Sequence, residues 1–229
     1  MKLGIMGGTF DPIHLGHLRT AEEVGEELDL GKVYLIPSAS PPHKSGKFVT
    51  PFSHRFAMAQ RAADLSPLLD VLDLEAKRPG PSFSIETLQE MHALFQPQPE
   101  LYFILGMDAF LEIETWKNYQ ELFDYAHFVI IQRPGYDQER LGPFLEHLPM
   151  NIRETRDPTA FLMPSGLTLL LKKTTLMDIS STKIRRLASR EKSIRFLVSD
   201  AVENYISMKG LYRTTHANPE KSKTVPEDY

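Results

Sequence analysis

Cysteine is absent from the 229-residue chain, which excludes a disulfide framework, a thiolate zinc site and a cysteine nucleophile. Positive charge is not in excess either, with 26 Lys and Arg against 30 Asp and Glu and a formal net charge of -4. A protein that lives on bulk nucleic-acid binding is ordinarily basic, so no DNA or RNA partner is expected and any phosphate chemistry should be local. Long apolar runs are missing too. No stretch approaches about 18 residues, so neither a membrane span nor a membrane partner is expected. The opening MKLGIMGG breaks into Gly-Gly-Thr before the apolar core of a signal peptide could form, and the expected location is the cytoplasm. What remains is 41% hydrophobic and 24% charged, which excludes a disordered chain, a collagen-like fibre and a coiled coil. A chain of this size can bury roughly 70% of its unfolded surface, enough for one generous domain.

Strand-like and helix-like stretches alternate along that chain. Leu3 to Met6 is a short apolar run stopped by Gly7-Gly8, and Lys32 to Ile36 is a second, closed by Pro37. Between them His14 to Leu28 has helical periodicity, with Leu15, Leu18, Ala21, Val24 and Leu28 near one face. Residues 37–52 hold four prolines and form a loop, after which Ser53 is expected to cap a helix running to about Leu65. Leu69 to Leu74 is strand-like and Ser84 to Phe95 helical; Leu101 to Leu105 and Phe128 to Ile131 are further apolar runs. The region 134–166 is less regular, with a helix near Gln138 to His147 and a late strand at Leu167 to Leu171. Helices are expected at Ser181 to Ser189 and Ile194 to Met208, the second ended by Gly210. Such alternation predicts an α/β fold: an open, mainly parallel sheet with helices on both faces and a helical C-terminal portion. One domain over 1–213 is the simplest organisation, with 214–229 a frayed tail in which apolar content collapses.

Gly7-Gly8-Thr9-Phe10-Asp11-Pro12-Ile13-His14-Leu15-Gly16-His17 joins the first strand to the first helix, where an open α/β sheet binds its ligands. The two glycines let a ligand approach the backbone and allow positive φ. Backbone N–H groups of the turn and the helix N-terminus then favour negative charge. His14 and His17, one turn apart, leave the helix from the same face, and Gly16 keeps that face open. GxxxxGK[ST] and GxGxxG are both absent, which excludes the common P-loop and the dinucleotide fingerprint. A metal site needs a third ligand, and no HExxH accompanies the histidines.

A second constellation is Asp178-Ile179-Ser180-Ser181-Thr182-Lys183-Ile184-Arg185. Its Ser-Ser-Thr run supplies hydroxyls and free N–H groups at the positive end of a helix, and Arg185 lies one turn along from Ser181. Taken alone, an ordinary N-cap with a solvated arginine accounts for it. Lys44 sits in a proline-stiffened Pro41-Pro42-His43-Lys44 string. Asp108, after the run ending at Leu105, suits either a ribose hydroxyl or a helix cap. Trp116, the single tryptophan, could stack on a cationic aromatic ring or simply pack.

GGTFDPIHLGH resembles the signature of the HxGH nucleotidyltransferases, and DISSTKIRR resembles their ISSTxIR element. LGMDAFLEIETWKNYQEL, AHFVIIQRPGY, PSFSIETL and the closing NYISMKGLYR further resemble the bacterial nicotinate-nucleotide adenylyltransferase family. That resemblance implies a Rossmann-like fold and an enzyme joining ATP to nicotinic acid mononucleotide to give deamido-NAD and pyrophosphate. It implies His14, His17, Lys44 and Arg185 as the catalytic groups. ATP would meet Gly7, Gly8, Thr9, Phe10, Gly106, Asp108, Ile179, Ser180 and Ser181. The mononucleotide would meet Ser84, Trp116, Lys117 and Arg133, with Trp116 on the pyridine ring. Mg²⁺ would arrive with ATP and need no protein cage. Phe83 and Ser84 depart from the family, where Tyr and Thr are frequent. A sister enzyme using nicotinamide mononucleotide and a non-catalytic nucleotide-binding protein of the same fold stay open as alternatives, and so does a homo-oligomer.

Overall fold

A computed structural model describes residues 1–41, 49–132 and 141–213. Lys44, Arg133 and the segment 214–229 lie outside the described residues. Strands β1 (Lys2–Gly8), β2 (Lys32–Pro37), β3 (Leu69–Val71), β4 (Glu100–Gly106) and β5 (His127–Ile131) are joined in parallel with β8 (Thr168–Lys172). Two short strands, β6 (Arg153–Glu154) and β7 (Ala160–Leu162), add an antiparallel edge, so the order across the sheet is β3-β2-β1-β4-β5-β8-β7-β6.

Side-chain alternation explains how both faces are buried. Leu3, Ile5, Leu101, Phe103, Leu105, Phe128 and Ile130 point to one core. Helices α3 (Ser84–Leu94), α5 (Tyr119–Tyr125) and α6 (Leu141–His147) close it with residues such as Leu88, Phe123 and Leu145. Val33, Leu35, Ile104, Val129 and Ile131 point the other way. There α1 (Leu15–Glu27), α2 (Phe52–Ala63), α7 (Ser181–Ala188) and α8 (Asp200–Lys209) cover them with Val24, Met58, Ile184 and Val202. A four-residue α4 (Met107–Phe110) follows β4 directly. The order in which strands are added reverses between the parallel neighbours β1 and β4, since β2 and β3 lie to one side and β5 to the other. The carboxyl ends of those two strands therefore border a crevice.

Several boundaries differ from expectation. Ser53 does not cap α2; the helix begins at Phe52, and the Pro51 carbonyl accepts from His54 N at 3.0 Å. The Leu69 to Leu74 strand stops at Val71, because Leu74–Lys77 turns into a 3₁₀ helix that buries Leu74 and Glu75. The expected helix from Ile194 exists only as α8 from Asp200. Ile194 and Val198 are buried with Val202 at helical spacing, which mimicked one stripe. Phe196, however, adopts φ 62, and the Leu197 carbonyl accepts from Leu15 N at 3.0 Å, tying this segment to the head of α1.

Candidate active site

A cavity of about 860 Å³ opens at the carboxyl edge of the sheet, floored by Gly7 and Gly8 of β1, Gly106 of β4 and Ile131 of β5. A side chain at Gly7 would meet nothing within 4 Å, so the missing Cβ leaves open space on the cavity floor. Positive φ falls not on Gly7 or Gly8 but on Phe10, at 47°. Phe10 is buried and meets the His17 ring edge-on, with centroids 5.0 Å apart.

His14 is the N-cap of α1 and only 6% exposed. Its imidazole stacks on that of His17, with centroids 3.6 Å apart and planes 20° from parallel. Gly16 makes this possible, because a Cβ there would sit 3.2 Å from His14 Nδ1. The backbone N–H of His14 donates to His17 Nδ1 at 3.3 Å. An accepting Nδ1 leaves Nε2 to carry the ring proton of neutral His17, which makes that nitrogen a donor. Both imidazoles, Thr9 and Thr20 line the cavity. Thr20 was not anticipated, although its place one turn after His17 was the available signal.

The wall facing α1 is the stretch Thr174 to Ser180. Glu23 of α1 accepts from both the N–H and the hydroxyl of Thr175, which pulls the Glu23 carboxyl below its usual range and pins this wall to the helix. Ser180 caps α7, its hydroxyl accepting from Lys183 N at 3.2 Å. Ile179 and Ser180 therefore meet Gly8, His14 and His17 around one cavity. Phe10, Ser181 and Arg185 do not line it. Ser181 Oγ donates to the Pro12 carbonyl at 2.8 Å, and Arg185 Nη1 donates to the Asp11 carbonyl at 2.7 Å. These two side chains grip the turn that precedes His14.

At the far end the cavity is lined by Ser84, Asp108, Trp116 and Lys117, together with Phe103 and Glu75, which the sequence did not single out. Trp116 lies edge-on to Phe103 with centroids 6.2 Å apart, one aromatic packing against another. Lys117 Nζ sits 4.5 Å from the Phe83 ring centroid and 2.7 Å from Glu86 Oε1, so Phe83 serves as a cation platform. Ser84 opens α3, where the first-turn N–H groups have no intrahelical acceptor. Lys44, expected at the phosphates, and Arg133, expected at the mononucleotide, lie outside the described residues. Among the described residues no group of three or more His, Asp or Glu side chains is placed to hold a metal ion, and no helix is long and apolar enough to cross a membrane.

Comparison with known proteins identifies the family and agrees with the fold. The family model described as cytidylyltransferase-like matches residues 5–187. A protein of Desulfatibacillum aliphaticivorans named probable nicotinate-nucleotide adenylyltransferase is 43% identical over 221 residues, spanning 93% of this chain and 100% of its own. One of the same name from Pseudomonas syringae pv. tomato is 43% identical over 95% of this chain and 96% of its own. Among solved structures, Plasmodium falciparum nicotinic acid mononucleotide adenylyltransferase complexed with NaAD superposes with a TM-score of 0.71 at 21% identity, covering 92% of this chain and 97% of that one. By signature, cavity and relatedness along its length, the chain belongs to the nicotinate-nucleotide adenylyltransferase family of cytidylyltransferase-like enzymes.

Proposed function

We propose that the protein transfers the adenylyl group of ATP to nicotinic acid mononucleotide, giving deamido-NAD and pyrophosphate in NAD biosynthesis. The observation that carries this reading is the stacked His14–His17 pair, which opens onto the same cavity as Trp116. One end of that cavity offers imidazole donors, glycine backbone and the Ser180 turn to a polyanion. The other offers an aromatic face and the first turn of α3 to a pyridine ring bearing a carboxylate.

An oxygen of the mononucleotide phosphate attacks the α-phosphorus of ATP in line. The new P–O bond forms as the bond to the oxygen bridging the α- and β-phosphates breaks, and that electron pair leaves with pyrophosphate. A phosphomonoester has its second pKa near about 6, so the attacking group is largely dianionic at pH 7 and requires no general base. The protein's part is positioning and fixed electrostatics: His17 Nε2 and His14 face the phosphates, where charge builds in the transition state. Mg²⁺ would enter with ATP and supply positive charge at its phosphates, without a protein cage. Arg185 supports the turn through Asp11. Lys44 is assigned to the phosphates and Arg133 to the nucleotides on the resemblance alone. Asp108 is assigned to a ribose hydroxyl, and the backbone near Ser84 and Lys117 to the nicotinate carboxylate.

Pyrophosphate release from ATP and Mg²⁺ with a panel of acceptors tests the reading. Nicotinic acid mononucleotide should turn over fastest, ahead of nicotinamide mononucleotide, with pantetheine phosphate and glycerol phosphate inert. Equal use of the two pyridine mononucleotides would overturn the acceptor assignment, and no pyrophosphate with any acceptor would overturn the reaction.

A further inference from the structure

The turn from Thr9 to Ile13 lies outside β1 and α1, so its shape depends on groups brought from elsewhere. Arg55, 1% exposed, donates from Nη1 to the Thr9 carbonyl at 2.7 Å, from Nε to the Thr50 carbonyl at 2.7 Å and from Nη2 to the Ala39 carbonyl at 3.3 Å. Asp11, 3% exposed, has a partner for each oxygen. Thr50 N donates to Oδ2 at 3.2 Å, and the Tyr212 hydroxyl donates to Oδ1 at 2.7 Å. A buried carboxylate needs such donors, and losing one leaves an oxygen without compensation.

Tyr212 reaches Asp11 at a conformational cost. Its φ is 63°, a left-handed backbone that a bulky L-residue seldom adopts unless the surroundings impose it. Burial, and then the Asp11 carboxylate, push the phenol well above its ordinary range, so it stays a donor throughout the neutral region. Neither Asp11, Arg55 nor Tyr212 lines the cavity. The segment they hold ends at His14, so their influence falls on the ATP half. The acceptor half rests on α3, β4 and the 3₁₀ turn Ile113–Thr115, which none of these hydrogen bonds touches.

We infer that Tyr212 is a positioning residue for ATP: its hydroxyl fixes Asp11, and Asp11 fixes the turn that delivers His14 and His17. The inference rests on the proposed adenylyl transfer for its kinetic readout but not for its binding readout. The test compares full-length Tyr212→Phe with the unaltered protein, titrating ATP and Mg²⁺ by calorimetry without acceptor and then varying each substrate in turnover. ATP affinity should weaken about tenfold, in line with loss of a hydrogen bond to a charged group, while the mononucleotide KM moves less than twofold. Asp11→Asn should show the same selective loss, and the double variant should be no worse than the weaker single one.

Unchanged ATP affinity, or equal shifts in both KM values, would overturn the inference, since a contact that merely stabilises the fold has no reason to spare one substrate. Thermal unfolding accompanies each variant, and if one is unfolded at the assay temperature the other decides. Unfolding of both would assign the contact to the fold alone and overturn the inference as well. If the unaltered protein binds ATP yet releases no pyrophosphate, the proposed function fails while the affinity comparison still decides. No ATP binding by the unaltered protein overturns both.

Discussion

At the scale of single residues, the site divides into groups that face the cavity and groups that hold them. His17 belongs to the first kind. Its Nδ1 accepts from the His14 N–H, which makes Nε2 the donor nitrogen of the ring. His17→Ala should lower kcat for pyrophosphate release by about 100-fold or more, the loss typical of one transition-state donor, with circular dichroism unchanged. An unaltered kcat would remove this imidazole from the chemistry. Both histidines were legible in the sequence, because two of them around a glycine after a glycine turn have few structural reasons to coincide. Arg55 was not. Its three carbonyl acceptors come from residues 9, 39 and 50, and no local pattern announces a guanidinium that joins distant backbone groups. Arg185 was expected at the phosphates through resemblance, whereas it points to the Asp11 carbonyl, since spacing fixes a helix face and not a side chain's partner.

Among elements, α7 links folding to binding most directly. Its capping residue, Ser180, also borders the cavity. Ser180→Ala should destabilise the protein by about 1 kcal/mol, the usual value of such a cap, and should raise the KM for ATP. Urea denaturation checks the first, and initial rates with ATP varied check the second. A lost cap with an unmoved ATP KM would confine this serine to structure. The strands were readable because both faces of a parallel sheet are buried, so they appear as continuous apolar runs. The antiparallel β6–β7 edge was not readable, as β6 is an exposed Arg-Glu pair and β7 only three half-buried residues, too short to show a strand period. The residues before α8 misled for the opposite reason: Ile194 and Val198 keep helical spacing while the backbone at Phe196 turns left-handed.

Across the whole molecule, the two edges of the sheet differ in character. The carboxyl edge holds the cavity, while the amino edge carries a polar cluster made by the first residues of three strands: Glu100, His127 and Thr168. Thr168 N donates to His127 Nδ1 at 3.0 Å, and His127 Nε2 lies 3.3 Å from Glu100. A proton on Nδ1 would confront that N–H donor. Burial lowers the His127 pKa below 6.5, Glu100 acting to raise it and Lys2 to lower it further. The unfolded chain therefore takes up this proton first as pH falls, so stability is complete above about pH 6.5 and declines below it until the folded protein is also protonated. Thermal midpoints between pH 8 and pH 5 should fall on the acid side, and His127→Gln should flatten that fall. Identical slopes would assign acid sensitivity elsewhere.

The hydrogen bond between Asp11 and Tyr212 spans 201 positions of the chain. At about 5–20 residues per second, a ribosome needs roughly 10 to 40 seconds to travel from one partner to the other. A nascent polypeptide can lay down β1, β2 and β4 in that interval, yet the turn leading into His14 lacks its tyrosine donor until residue 212 has cleared the exit tunnel. Newly made enzyme thus becomes competent in a single late event, and prematurely terminated chains should be poor competitors for cellular ATP.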